Sequence, residues 1–256
     1  MDAAQTTFVS EQYAPRAEAY VTSLNHSTGA DLDQVEQLLR DRALERVLDL
    51  GCGGGHVSYR AARHVGRVVA ADVTQSMLDA VSRTAAERGL SNIRVQKAAA
   101  EALPFSNGDF DAVLCRFTAH HWQNLEAGLR EAARVLEPGG LGVFIDTIAP
   151  ADRTLDTHLQ SVELLRDASH VRNYSLSEWI AALERSGFAI DGVTARTLRM
   201  DFPVWTARTN TSLSHAVAIR SLQTGAPASV RNHFQIGEDG GFTLDTVTIT
   251  VRKIAV

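Results

Sequence analysis

The chain has 256 residues, of which 45% are hydrophobic and 21% are charged, which is ordinary for a globular protein with one sizeable core. The net charge of −5 and the lack of any Lys/Arg-rich run argue against a nucleic-acid partner. The two cysteines form no disulfide framework, and no apolar run approaches the roughly 20 residues of a membrane helix. Residues 1–10 also lack a signal-peptide pattern, so we expect a cytoplasmic protein without a membrane span.

Residues 45–146 alternate short apolar runs with amphipathic stretches. The apolar runs predict strands at 46–50, 67–72, 93–97, 110–116 and 141–146, and the amphipathic stretches predict helices at 56–65, 75–88 and 125–136. Strict alternation implies an α/β, Rossmann-like fold with a mostly parallel central sheet and helices on both faces. Ligands of such sheets bind at the carboxyl ends of the strands. The polar residues expected along that rim are Asp49, Asp72, Arg116 and Asp146.

The pattern changes after Pro150. We predict helices at 155–167, 175–186 and 212–223, a strand at 188–200, and an edge or near-edge strand at 243–254. Segments 151–174 and 209–234 exceed what a plain α/β unit needs and are predicted to form a helical lid. The chain thus divides into an N-terminal helical cap (1–44), an α/β core (45–150), and lid insertions with C-terminal strands that complete the same sheet (151–256).

Residues 47–56, VLDLGCGGGH, predict a buried strand, then a glycine-dense turn that enters a helix. Gly51 and Gly53 match the first two glycines of the dinucleotide fingerprint, but His56 occupies the third position. An acid at Asp49 would repel a pyrophosphate, whereas it suits a cationic ligand that carries an amine and a sulfonium. The loop therefore favours S-adenosylmethionine over a dinucleotide.

Asp72 ends the second predicted strand, 17 residues after Gly55. At this spacing a carboxylate can accept hydrogen bonds from both ribose hydroxyls of an adenosine. Alternatively, Asp72 caps the helix that begins at Thr74, and the two roles are compatible. Met77 lies one turn into that helix, where it covers an adenine face or simply joins the core.

Several motifs resemble those of class I S-adenosylmethionine-dependent methyltransferases, in particular the type-11 group that includes ubiquinone/menaquinone C-methyltransferases. They are 47–55, Asp72, AEALPF at 100–105, DFD at 109–111 and LEPGG at 136–140. RFTAHHW at 116–122 and LRDASHVR at 165–172 resemble small bacterial members of that group and extend the likeness to almost the full chain.

The resemblance implies S-adenosyl-L-methionine as cofactor and S-adenosyl-L-homocysteine as product. The loop residues would hold the methionine end, Asp72 the ribose, and the backbone around Ala100 the adenine edge. Many relatives have Asp or Asn where this chain has Ala99, so the adenine amino group would rely on Glu101, backbone or water. The predicted cofactor-binding residues are Tyr20, Asp49, Gly51, Cys52, Gly53, Asp72, Val73, Met77, Ala100, Glu101 and Arg116.

Methyl transfer is an in-line displacement at a sulfonium carbon, for which positioning contributes much of the acceleration and no metal is needed. A general base helps only if the acceptor must lose a proton. His120 and His121 directly follow the fourth strand and are the predicted catalytic residues. The alternative is that one of them packs against Trp122 and only shapes the pocket.

The predicted substrate-binding residues come from the N-terminal segment, the lid and the block after the fourth strand; they are Tyr13, His26, Trp122, His170, Arg172 and Tyr174. The simpler alternative for these residues is a solvated, capping or amphipathic-helix role. Their aromatic and histidine character predicts a small planar acceptor, quinone-like or a nitrogen heterocycle, in a monomer or homodimer. Two other functions stay open: a nicotinamide-dependent oxidoreductase, and a module that binds S-adenosylmethionine without turnover.

Overall fold

The computed structural model describes residues 3–16, 28–40 and 42–255. Seven strands form one sheet in the order β3-β2-β1-β4-β5-β7-β6, in which β1 to β5 are parallel and β6 and β7 are antiparallel to their neighbours. This confirms the mostly parallel α/β fold. The strands are β1 Arg46–Leu50, β2 Arg67–Asp72, β3 Ile93–Lys97, β4 Phe110–Arg116, β5 Leu136–Thr147, β6 Phe188–Met200 and β7 Phe242–Lys253.

Helices cover both faces of the sheet because successive strand residues point to opposite sides, and apolar strand residues lie on both of them. Leu48 packs into a core with Leu129 and Trp179, whereas Val47 packs into another with Val35 and Leu78. The described helices are α1 Ala3–Tyr13, α2 Ala30–Arg40, α3 His56–Ala61, α4 Gln75–Glu87, α5 Leu125–Val135, α6 Arg153–Arg166, α7 Leu176–Arg185, α8 Phe202–Arg208, α9 Leu213–Gly225 and α10 Ala228–His233. None of them is long and apolar enough to cross a bilayer.

Strand β5 begins at Leu136, immediately after α5, and not at residue 141 as predicted. Leu136 pairs with Phe110, and the register then shifts before Leu141 pairs with Ala112. The intervening Pro-Gly-Gly sequence therefore forms an irregularity within the strand, where Gly139 adopts a left-handed φ of 78°. Helix α3 is also shorter than predicted and ends at Ala61 in turns.

A third apolar cluster joins the helices inserted around β6 to the carboxyl edge of the parallel strands. It contains Val162 of α6, Trp205 of α8 and Ile219 of α9, together with Leu244 at the start of β7. Helices α8 and α10 were not predicted; Pro203 lies in the first turn of α8, and Pro227 is the N-cap of α10. We call α6 and α8–α10, with residues 167–175, the lid.

Candidate active site

A cleft opens at the carboxyl edge of the parallel strands. Its floor is formed by the loops that follow β1, β2 and β4. Helix α1 contributes Gln5 and Tyr13 to one wall, and the lid contributes Glu163, Arg166 and Trp205 to another. The cleft therefore lies where Rossmann-like sheets bind their ligands.

Two glycines of the loop after β1 have different structural roles. Gly51, with a φ of 71°, lies so close to Thr118 that a Cβ atom would overlap the threonine side chain. Gly53, with a φ of 48°, lines the cleft, and a Cβ atom there would meet nothing within 4 Å. Gly51 thus allows two loops to approach each other, whereas Gly53 leaves bare backbone facing the cleft.

Asp72 connects the loop after β1 to the start of α4. Its Oδ2 accepts a hydrogen bond from the Gly53 N–H at 2.9 Å, and its Oδ1 accepts one from the Thr74 N–H at 2.8 Å. Burial raises the pKa of Asp72, against the effect of these two hydrogen bonds. Asp72 thus joins the loop after β1 to Thr74, the N-cap residue of α4, and it also lines the cleft.

Asp49 lies behind the glycine loop and does not line the cleft. It is 1% exposed, and its carboxylate accepts a hydrogen bond from the Ser58 hydroxyl of α3 at 2.6 Å. Burial raises the pKa of Asp49 to about 7, although the bond from Ser58 opposes this. A cation bound nearby would favour the ionised carboxylate.

The wall beyond Asp72 contains Val73, Met77, Ala100 and Glu101. Met77 is buried and packs beside Ala80 and Tyr13, so it serves both the wall and a small core cluster. Glu101 Oε1 accepts a hydrogen bond from the Gln123 N–H at 3.0 Å. That oxygen therefore holds the segment before α5. The other residues of this wall, Val73, Met77 and Ala100, are apolar and lie at the position predicted for adenine.

His120 belongs to a short 3-10 turn, Ala119–His121, that follows β4 and lines the cleft. Its Nδ1 lies 2.7 Å from Asp146 Oδ1 at the end of β5. The Asp146 carboxylate also accepts hydrogen bonds from the N–H groups of Ala119 and Thr147. Burial would lower the pKa of His120, but the Asp146 carboxylate outweighs that effect and raises it. Asp146 thus holds the ring through Nδ1, and Nε2 is the ring nitrogen that Asp146 does not contact.

His121 lines the cleft beside His120 and joins α1 to the lid. Tyr13 Oη lies 3.1 Å from His121 Nε2 and donates a hydrogen bond to Asp167 Oδ2 at 2.5 Å. His121 Nδ1 lies 3.1 Å from the Ser169 carbonyl oxygen. Burial, and then the neighbouring His120, lower the pKa of His121 to about 4, so the ring is neutral near pH 7. Each of its nitrogens lies 3.1 Å from an oxygen of this network, and the single N–H of the neutral ring can donate to only one of them.

Some predicted site residues lie away from the cleft wall. Arg116 pairs with Asp31 of α2 at 2.5 Å, and Cys52 is buried without lining the cleft. Tyr20 and His26 lie outside the described residues. Among the described residues, no cluster of three or more His, Cys, Asp or Glu could hold a metal.

The residues that were predicted to contact the substrate also fall into two groups, those that line the cleft and those that lie away from it. Trp122 lines the cleft, whereas His170 lies behind His120 with ring centroids 5.8 Å apart. Arg172 pairs with Asp156 at 3.1 Å, and Tyr174 packs edge-on against Trp179. Neither Arg172 nor Tyr174 lines the cleft, because Arg172 is held by its acidic partner and Tyr174 packs against the core.

Sequence reasoning missed three polar residues that the lid contributes to the cleft, which are Glu163, Arg166 and Arg208. On a helix of mixed polarity, Glu163 and Arg166 are typical of a solvated face, and no local sequence pattern shows that they line a cleft instead. Asp146 was recognised only as a rim residue. The sequence signal for the Asp146–His120 pair was that Asp146 lies at the end of the strand that follows His120 along the chain.

Comparison with known proteins supports this architecture. Residues 47–140 match the family model described as a methyltransferase domain. The chain is 33% identical to methyltransferase YcgJ of Bacillus subtilis, over 93% of this chain and 96% of that protein. It is 39% identical to YafE of Escherichia coli K12, over 80% of this chain and 99% of that protein.

Solved structures agree with the sequence relatives. The crystal structure of YcgJ superposes with a TM-score of 0.84 at 32% identity, over 88% of this chain and 99% of that one. BH2331 from Bacillus halodurans C-125 superposes with a TM-score of 0.85 at 30% identity, over 89% of this chain and all of that one. The chain belongs to the class I S-adenosylmethionine-dependent methyltransferase family.

The contacts of Tyr13 predict that its hydroxyl holds α1 over the cleft. We expect Tyr13→Phe to increase amide hydrogen exchange across α1 about tenfold or more, because a hydrogen bond to a charged carboxylate is lost. Exchange in α5 should not change. Thr7→Ala, at an exposed position of the same helix, is the control. Equal exchange in both variants would show that the hydroxyl does not hold α1.

Proposed function

We propose that S-adenosylmethionine binds in the cleft along Gly53, Asp72 and Ala100. The bare backbone at Gly53 faces open space that a ligand can fill, and the Asp72 carboxylate lies beside it. An apolar wall at Met77 and Ala100 suits an adenine ring. When bound, this cofactor supplies an electrophilic methyl group on a sulfonium.

We propose that the acceptor is a small molecule with a planar ring. The cleft continues from the loops of the sheet to the lid, where the walls include Phe117, Trp122 and Trp205. Helix α1 and the lid enclose this part, because Tyr13 contacts Asp167 and Gln5 contacts the Ser169 carbonyl. An enclosed, aromatic-lined pocket favours a compact ring over a macromolecule. Family membership favours methyl transfer over the nicotinamide-dependent alternative.

His120 is the proposed general base for an acceptor that must lose a proton. Asp146 accepts from Nδ1–H, which leaves the lone pair of Nε2 to take the acceptor's proton. The carboxylate stabilises the imidazolium that forms. His121 has a lower pKa, and each of its nitrogens lies 3.1 Å from an oxygen of a neighbouring group, so its proposed role is to close and shape the pocket. The single observation that carries this proposal is the Asp146–His120 pair at the cleft.

The proposed contact between Asp72 and the ribose predicts a loss of cofactor affinity in Asp72→Asn. We expect calorimetry to show S-adenosylhomocysteine binding weakened by about tenfold or more, because an anionic acceptor of two hydroxyl hydrogen bonds becomes neutral. Asp79→Asn, on an exposed face of α4, is the matched control and should bind as the wild type does. Unchanged affinity in Asp72→Asn would rule out the ribose contact.

A His120 base predicts a characteristic pH dependence of single-turnover methyl transfer. Only the neutral ring can accept a proton, so the rate should rise with pH to a plateau above the raised pKa of His120. Asp146→Asn removes the largest pKa-raising contribution, so the inflection should move to lower pH. The neighbouring Glu163 and Asp167 carboxylates also raise this pKa, while His121 and His170 lie against the ring.

Variants of histidine provide the controls for this profile. His120→Gln should lose the inflection and lower the plateau rate by about a hundredfold, within the usual range for a general base. Its affinity for S-adenosylhomocysteine should remain near that of the wild type. His215→Gln alters an exposed lid histidine outside the cleft wall and should leave the profile unchanged. A retained inflection in His120→Gln would assign the titration to another group.

A further inference from the structure

The lid segment that carries Asn173 is tied to the backbone of His120. The His120 carbonyl oxygen accepts hydrogen bonds from the N–H groups of Val171 at 2.9 Å and Arg172 at 3.1 Å. Gln160 of α6 holds the next residue, because it accepts from the Asn173 N–H at 3.0 Å and donates to the Asn173 carbonyl oxygen at 2.8 Å. His120 and Asn173 both line the cleft, so one ligand can meet both of them.

The amide nitrogen of Asn173 is a buried hydrogen-bond donor. The residue is 2% exposed, and its Nδ2 has no partner among the residues that the structure describes. The two hydrogen bonds to Gln160 hold the backbone of Asn173, so they fix the position of the residue without engaging Nδ2. Buried amide donors are normally paired, and an unpaired one is destabilising. A ligand oxygen that accepts from Nδ2 would relieve that destabilisation.

The charged groups of the lid around this donor compensate one another. Glu163 and Arg166 line the cleft as an ion pair 3.6 Å apart, and Asp167 supplies a second carboxylate, which already accepts two hydroxyl hydrogen bonds. Burial raises the pKa of Glu163, whereas the charges of Arg166 and Arg208 lower it. Burial lowers the pKa of the neighbouring His170 to about 2, so its ring is uncharged near pH 7. Guanidinium and carboxyl groups are therefore equal in number here, which favours an uncharged ligand group.

We propose that the methyl acceptor is an uncharged ring compound whose carbonyl oxygen is bound by the Asn173 amide. This inference rests on the proposed function and specifies its substrate class. The carbonyl is conjugated to the atom that receives the methyl group, and that atom carries the proton that His120 removes. Conjugation moves negative charge onto the carbonyl oxygen as the proton leaves, so the hydrogen bond from Nδ2 is stronger in the transition state than in the ground state.

The proposed step needs no further reactant. His120 Nε2 takes the proton of the acceptor, and the electron pair that is freed forms the bond to the methyl carbon. The bond between sulfur and this carbon breaks, and its electron pair stays on sulfur, which becomes the neutral thioether of S-adenosylhomocysteine. The imidazolium then releases its proton to water. Asn173 forms no covalent bond and keeps its protons, so it binds and orients the acceptor.

The test uses three ring probes of similar size that differ in one group. Acetophenone has a carbonyl, ethylbenzene has a methylene group in its place, and benzoate has a carboxylate. Their affinities are measured by NMR titration of the tryptophan indole N–H signals, because Trp122 and Trp205 line the same cleft. We expect acetophenone to bind about fivefold or more tightly than ethylbenzene and at least as tightly as benzoate. The inference is overturned if acetophenone binds no more tightly than ethylbenzene, including the case of no binding, or if benzoate binds more tightly than acetophenone.

Variants locate the preference for the carbonyl. Asn173→Leu is nearly isosteric and has no donor, and Asn173→Asp keeps the shape but replaces the donor nitrogen with an acceptor oxygen. Each should reduce the affinity for acetophenone about fivefold while changing the affinity for ethylbenzene less. Asn232→Leu, at an exposed position of α10 outside the cleft wall, is the matched control. A preference that survives both Asn173 variants would overturn the assignment to this residue.

The two proposals can fail separately. Absent binding of S-adenosylhomocysteine by the wild type would contradict the proposed function, while titrations without that ligand still test the carbonyl contact. Normal binding of S-adenosylhomocysteine together with an unchanged preference for acetophenone in Asn173→Leu would contradict the carbonyl contact alone. Because the affinity for S-adenosylhomocysteine also reports a folded cleft, it distinguishes a lost contact from a lost fold.

Discussion

The site depends on how closely the loop after β1 approaches the segment after β4. Gly51 has no side chain, so Thr118 can occupy the space where a Cβ atom would lie. Phe117, immediately before Thr118, adopts a φ of 50°, a conformation that non-glycine residues rarely adopt. This local strain turns the chain sharply out of the sheet. The glycine loop after β1 and the pair His120 and His121 consequently line the same cleft.

Two carboxylates then fix the positions of these loops relative to the strands. Asp72 receives N–H groups from the loop after β1 and from the start of α4, while Asp146 receives those of Ala119 and Thr147. Each carboxylate also lies where a ligand contact or a proton transfer is proposed. The same groups that stabilise the loops thus position the chemistry, which reduces the motion needed to reach a reactive geometry.

Helix α1 and the lid complete the cleft through one polar network. Tyr13, His121 and Asp167 come from three different parts of the chain and meet within hydrogen-bonding distance. Closing the cleft removes water, which strengthens the electrostatic interactions inside it.

The core of the fold was predictable from the sequence because its signals are local. Alternating apolar runs indicated the parallel strands, and the glycines with Asp72 indicated residues that line one end of the cleft. The Arg116–Asp31 pair joins residues 85 positions apart, and no local pattern predicts it.

The lid was harder to predict because 167–175 has no regular period. Its density of polar residues indicated a substrate wall, but not which side chains face inward. Arg172 pairs with Asp156 and Tyr174 packs against Trp179, whereas Asn173 between them lines the cleft. That orientation is set by Gln160, which holds the Asn173 backbone from a neighbouring helix.

The most direct test of the account is transfer of a labelled methyl group. The purified protein is incubated with trideuteromethyl S-adenosylmethionine and a fractionated metabolite extract of the source cell, and the products are followed by mass spectrometry. The account predicts a small molecule that gains the deuterated methyl group as S-adenosylhomocysteine accumulates. A protein that binds both forms of the cofactor but transfers no label to any fraction would contradict turnover. Failure to bind either form would contradict the account at the glycine loop.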